Sequence, residues 1–319
     1  MNPRELVDSL YPNARTRELA AGANSVFRVT QNETETSIVK VYPVPSREKR
    51  ERHALEALAG IEGVPRILNS GIEGETAWLR MTDGGAWNLA SLPKNLEVVE
   101  SAGRTLRNLH VAKAEITNLA VGIDAEYVRS HYTSTIQRLG RFRRRFGMDQ
   151  RVLDAALELE PPLATDPVPA HTRPTPSKFV LNDSGKVTLV DWEWATLGPA
   201  EWDLTLAVWQ FATMFGEDAA AAFRRGYSAE LPESRYRSWV AYHASMMMLD
   251  AAEVREGRLG DLSYLVDDLH EARPMSTSTT GSSGWSQAPG TSVGSRPTAA
   301  AAATRADHGT SASTWPRAA

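Results

Sequence analysis

The residues able to do chemistry fall in four short stretches. In Lys186-Val187-Thr188-Leu189-Val190-Asp191-Trp192 a largely apolar run ends on a carboxylate. A carboxylate in such surroundings needs a cation or hydrogen-bond donors to offset its desolvation; a bound Mg2+ would serve, and a helix-capping or salt-bridged aspartate is the other reading. Lys40 sits inside the β-branched run from Thr36 to Tyr42, and Glu51 follows in the next helical segment. By themselves these two read as a surface lysine and a helix glutamate. Ala21-Gly22-Ala23-Asn24-Ser25 holds a glycine that permits close backbone approach and two side chains, Asn24 and Ser25, that can donate hydrogen bonds; a plain β turn has the same composition. The fourth stretch is the loop His171-Thr172-Arg173-Pro174-Thr175-Pro176-Ser177-Lys178-Phe179. Arg173 cannot act as a base, because a guanidinium stays protonated, and a protonated Lys178 has no lone pair for a metal.

The elements that must position these residues follow from periodicity. Ser25 to Thr30 and Thr36 to Tyr42 flank the turn-prone Gln31-Asn32-Glu33-Thr34, which predicts an antiparallel hairpin. A helix follows, capped by Ser46, ended by Gly60, and carrying Ala54, Leu55 and Leu58 on one face. Trp78 to Thr82 reads as a further strand, broken by Asp83-Gly84-Gly85, a candidate hinge. Helical spacing runs through Leu96 to Leu109, Tyr127 to Phe146, Val152 to Leu159, Leu204 to Phe215 and Tyr236 to Glu256. Between them lies one β island, Phe179 to Leu181 and Lys186 to Trp192, joined by the turn Asn182-Asp183-Ser184-Gly185.

This order resembles the aminoglycoside phosphotransferase and choline kinase family, a branch of the protein-kinase-like fold, over about residues 15 to 273. The resemblance rests on AGANSVFRV, SIVKVY, REKRERHALEAL and AGRTLRNLH, and most of all on VTLVDWEWATLGPAEWDLTLAVW from Val187 to Trp209. It implies a two-lobed α+β fold: a β-rich, nucleotide-binding N-lobe over 1–85, a mainly helical C-lobe over 86–273, and ATP between them. By the same resemblance Lys40 reaches the nucleotide phosphates and Glu51 holds it in place. Gly22, Asn24 and Ser25 form the phosphate-covering turn. Asp191 then chelates Mg2+, with Glu193 a second candidate, His171 braces its loop, and Asp203 buttresses that loop.

One departure matters more than the matches. The family's loop usually reads His-Gly-Asp-x-x-x-x-Asn, the aspartate orienting or deprotonating the acceptor hydroxyl and the asparagine ligating Mg2+. Here Arg173 and Lys178 stand at those two positions. Loss of a positioned base removes about 10²- to 10⁴-fold in rate. The expectation is a protein that binds ATP but is impaired in phosphoryl transfer, a pseudokinase or partner subunit. The alternative is an active ATP-dependent phosphotransferase in which Arg173 stabilises charge. Its acceptor would be a hydroxyl of a small molecule or of a peptide Ser or Thr in natural-product tailoring. A third reading shifts the alignment so that Asp166 or Asp183 is the base. A basic loop disfavours polycationic aminoglycosides and favours an anionic or peptide substrate, or a protein partner.

Composition narrows the field further. The 319 residues contain no cysteine, so disulfides, thiolate zinc sites and a cysteine nucleophile are excluded, and any metal must sit on oxygen or imidazole. The seven histidines show no His-x-x-x-His spacing. A formal net charge of -4 gives no general pull toward nucleic acid or anionic lipid. No stretch approaches 18 uninterrupted apolar residues, and the start lacks a secretory signal, which predicts a cytoplasmic protein. Five arginines between Arg138 and Arg145 read as a solvated helix face or a docking surface for an acidic partner. Met246-Met247-Met248 reads as core. The segment 274–319 contains no Leu, Ile, Phe or Tyr and is expected to be disordered, with Trp285 and Trp315 as its only candidate docking points.

Overall fold

Alternation along one strand decides where the chemistry goes. In a computed structural model of the chain, which describes residues 2–253 apart from 22, 33–34, 113–118, 120–121, 145–147, 159–161 and 163–164, helix α1 (Pro3–Leu10) precedes β1 (Arg15–Ala21), β2 (Ser25–Gln31) and β3 (Glu35–Tyr42). Helix α2 (Pro45–Ala57), β4 (Ile67–Glu73) and β5 (Thr76–Thr82) complete an antiparallel sheet of order β1-β2-β3-β5-β4. On central β3, Val39 and Val41 join a buried cluster with Leu6 and Val7 of α1, Phe27, Val29 and Trp78. Period two then sends Lys40 and Tyr42 to the opposite face, where Tyr42 packs with Ala54, Leu55 and Leu58.

The start of α2 corrects one expectation. Ser46 is not its cap: the helix begins at Pro45, and the N-cap position is Val44, with no side-chain hydrogen bond. Proline fits the first helical position because its missing N–H is one that has no intrahelical partner there. Glu48, Glu51, Ala54 and Leu55 are the buried residues of α2, so helical spacing turns Glu51 inward toward β3.

The connector Asp83-Gly84-Gly85 is tied down. Asp83 accepts from Arg28 at 2.6 Å and from the Gly85 amide at 2.9 Å. A Cβ on Gly85, which has φ +141°, would collide with the Leu181 backbone.

Beyond it come β6 (Trp87–Asn88), α3 (Leu96–Val111), α4 (Ala125–Gly140), α5 (Gln150–Glu158), β7 (Pro167–Ala170), β8 (Phe179–Leu181), β9 (Val187–Leu189) and β10 (Thr196–Pro199). Helices α6 (Ala200–Phe215), α7 (Glu217–Tyr227) and α8 (Glu233–Glu253) follow. Helix α4 stops at Gly140, short of the expected Phe146, so Arg141, Arg143 and Arg144 lie in a turn; Arg145 and Phe146 fall outside the described residues, as do 254–273 and the segment 274–319. Helices α3 and α7 cross in close contact at two glycines. A Cβ on Gly226 would run into the Glu100 carbonyl, and one on Gly103 into that of Phe223. Helix α6 is buried along most of its length, and Met246 and Met248 of α8 are core as expected. Among the described residues no helix is long and apolar enough to cross a membrane.

Two small β units frame the loop from His171 to Lys178. Strand β7 pairs antiparallel with β10, Ala170 opposite Thr196, and β8 pairs with β9, Phe179 opposite Leu189. The loop and the segment from Val190 to Ala195 therefore leave neighbouring strands at the same end. The Val190 amide donates to the Lys178 carbonyl at 2.9 Å, which fixes their mutual register.

Candidate active site

Lys40 and Asp191, 151 residues apart, meet at a separation of 2.5 Å between Nζ and Oδ1. The Lys40 ammonium also donates to Glu51 Oε2 at 2.6 Å. Glu51 is itself held by the Tyr42 hydroxyl, 2.8 Å from Oε2, and by the Trp192 amide, 3.2 Å from Oε1. Burial opposes the charge on Lys40, but the carboxylates of Asp191, Glu51 and Glu193 outweigh it and raise its pKa. Burial likewise pushes the Glu51 carboxyl up, against the pull of Lys40.

The second oxygen of Asp191 is taken as well: Lys178 Nζ lies 2.8 Å from Oδ2. Burial favours the neutral carboxyl, yet the ammoniums of Lys178 and Lys40 prevail and hold it well below the usual carboxylate range. Asp191 has φ +76°, a left-handed conformation that a non-glycine residue adopts at a cost of roughly 1–3 kcal/mol. That turn directs its carboxylate between the two lysines.

Glu193 is bonded on both oxygens. Asn24 Nδ2 donates to Oε2 at 3.1 Å and Trp194 Nε1 to Oε1 at 3.1 Å, while Arg47 stands 4.0 Å from Oε1. The turn after β1 thus reaches the segment after β9 through Asn24. Ser25 begins β2 opposite Val41, and Gly22 lies outside the described residues.

The loop is braced from beneath by Asp203 on α6, whose side chain is fully buried. Its carboxylate accepts from the His171 amide at 2.6 Å, the Thr172 amide at 2.8 Å and His110 Nε2 at 3.2 Å. His171 Nε2 donates to the Val190 carbonyl at 2.9 Å, and its Nδ1 accepts from the Arg173 amide at 3.3 Å. That arrangement requires a neutral ring, and burial lowers its pKa accordingly. Thr172 holds φ +70° at the position where the family pattern has glycine, with both Asp203 and the Trp202 indole anchoring its backbone. Asp203→Ala would leave buried donors without acceptors at about 1–3 kcal/mol each. We expect it to lower unfolding stability by about 3 kcal/mol or more, read as a drop in the urea midpoint.

Arg173 projects to Trp194, its Cζ 6.0 Å from the indole centroid, and Arg50 stands 4.9 Å from the same ring. Asp166 and Asp183 are exposed. Asp166 precedes β7 and Asp183 lies in the β8–β9 turn, so each is at the strand end away from Asp191. Sequence reasoning missed three contributors: Tyr42, Trp194 and Arg50. Only Tyr42 had a signal, standing two residues from Lys40 on one strand face.

The resemblance implies Mg2+ here. Glu51, Asp191 and Glu193 each offer an oxygen within 4.8 Å of the others. The set does not fit the ion in the family's manner, because the residue at the asparagine position carries an ammonium, seated on Asp191 Oδ2, instead of a lone pair. A cation about 2.1 Å from Asp191 Oδ2 would stand within about 5 Å of the Lys178 nitrogen, where like charges repel strongly.

A family model described as "Phosphotransferase enzyme family" matches residues 15–239. No curated protein matches the chain. Spectinomycin phosphotransferase APH(9)-Ia, solved with ADP and spectinomycin, is similar with a TM-score of 0.60 at 13% identity, over 84% of this chain and 98% of that one. A thermostable mutant of aminoglycoside phosphotransferase APH(4)-Ia, solved with AMP-PNP and hygromycin B, gives 0.63 at 12% identity, over 85% and 99%. A putative aminoglycoside phosphotransferase from Ralstonia eutropha gives 0.57 at 14% identity, over 84% and 97%.

Proposed function

The chain belongs to the phosphotransferase enzyme family, and on that footing we propose that it is a cytoplasmic, ATP-binding member impaired in phosphoryl transfer, a pseudokinase or partner subunit. One observation carries the reading. The loop keeps its bracing by Asp203 and His171, and the Lys40–Glu51 pair is formed, while the position of the base holds Arg173. Nucleotide-binding parts and the loop scaffold are retained, and the group that would take the acceptor proton is absent from its place. The structural neighbours solved with ADP or AMP-PNP support a nucleotide in the same cleft.

Those neighbours hold spectinomycin and hygromycin B, but a polycationic acceptor suits this chain poorly. Arg173 and Arg50 flank Trp194, and Arg47 lies beside Glu193. An anionic small molecule, an anionic peptide or an acidic protein surface matches that charge better.

The test is a thermal shift with ATP. At about a hundred times its dissociation constant, a ligand stabilises by roughly 2.7 kcal/mol. We expect a shift of that order for the unaltered protein and none for Lys40→Ala. A shift that survives Lys40→Ala would place the nucleotide elsewhere, and no shift for either protein would overturn the proposal.

A further inference from the structure

We propose that this site binds its nucleotide without a divalent cation, the Lys178 ammonium taking the metal's place beside the phosphates. The inference rests on the nucleotide-binding reading above and specifies how that site manages charge. Asp191, which the family uses to hold the ion, is 29% exposed and is the most open member of the cluster; Lys178 is 17% exposed and Lys40 8%. Both oxygens of Asp191 face ammoniums, Oδ1 to Lys40 and Oδ2 to Lys178. The carboxylate therefore serves to aim two lysines, and a metal on either oxygen would have to share it with an ammonium or displace that ammonium.

Displacement of Lys178 is opposed by its backbone. Its amide donates to Thr175 and its carbonyl accepts from Val190, each at 2.9 Å, so the side chain starts from a point fixed next to Asp191. The charge balance points the same way. Where the family pattern has one anionic and one neutral residue, this chain has two cations, Arg173 and Lys178. The difference is three positive charges across the loop, of which Lys178 places one directly on Asp191. Mg2+ would bring two. A lysine ammonium is a compact point charge with rotatable donors and binds phosphate oxygens well.

The experiment is calorimetric titration of the full-length protein with ATP, once in excess EDTA and once in excess Mg2+. We expect the dissociation constant in EDTA to equal or lie below that in Mg2+. Binding seen only with Mg2+ would overturn this inference while leaving the nucleotide site in place, whereas no binding in either buffer would overturn both. Lys178→Asn restores a neutral ligand. It should weaken binding in EDTA by about tenfold or more, on the scale of one lost charge-assisted contact, and make binding Mg2+-dependent. Lys178→Arg keeps the charge and should retain metal-free binding, which separates loss of charge from loss of fold. Unchanged EDTA affinity in a folded Lys178→Asn protein would sink the proposal.

Discussion

Arg173→Asp combined with Lys178→Asn is expected to raise ATP turnover in the presence of Mg2+ by about 10²- to 10⁴-fold, the range a positioned general base contributes. The two changes act on different deficits. Arg173→Asp returns a proton acceptor at the residue whose amide is bonded to His171, so the backbone that must place it is already held. Lys178→Asn removes the ammonium from Asp191 Oδ2 and supplies a lone pair at the metal-ligand position. Each alone leaves the other deficit, so the single variants should fall far short of the pair, as groups that act together are strongly non-additive. Phosphate release under single-turnover conditions reads the effect with water as acceptor, before any substrate is known. If the double variant binds ATP but turns over no faster than the parent, these two positions are not what restrains the chemistry, and the pseudokinase reading fails.

The parts of this site legible in sequence are those fixed by local periodicity. Period two on β3 puts Lys40 and Tyr42 on one face, and helical spacing in α2 turns Glu51 inward with Ala54 and Leu55, while the pairing of Lys40 with Glu51 came from the family resemblance and not from either stretch alone. Asp191 was recognisable because a carboxylate closes an aliphatic strand. What it touches was not. The Lys178 contact depends on the β8–β9 register, Phe179 opposite Leu189, and a shift of one residue would have pointed the side chain to the other face. Arg50 and Arg173 meet at Trp194 across more than 120 positions, a juxtaposition that no local pattern encodes. The same limit explains the missed outer elements: α1 and β1 are secured by contacts with β2 and β3, and the Arg15–Ala21 run RTRELAA has little β character of its own. Ser46 misleads for the opposite reason, since a good capping residue stands one position inside a helix that Pro45 has already begun.

Acid should weaken the fold from the floor of the site, through His243. This ring is buried on α8, stacked on Trp239 and edge-on to Trp202, and its Nε2 lies 3.1 Å from the Trp202 carbonyl. Burial disfavours the imidazolium more than the Trp202 carbonyl and the Asp203 charge favour it, and the pKa is pushed down to about 3. In the unfolded chain the same ring takes its proton near pH 6.5. Its contribution is therefore intact above about pH 6.5 and is lost progressively as the pH falls toward 3, since the unfolded state then binds the extra proton. At about 1.4 kcal/mol per pH unit, the full loss is on the order of 5 kcal/mol. His171 shifts in the same direction and adds to it. Urea unfolding at pH 7.5, 6, 5 and 4 should show stability falling steeply below pH 6.5. In His243→Phe, which lacks the proton acceptor but keeps a ring against Trp239, the fall should be shallower by about 1.4 kcal/mol per unit, with a lower starting value at pH 7.5 because the Trp202 carbonyl loses its donor. Parallel curves for the two proteins would refute the assignment.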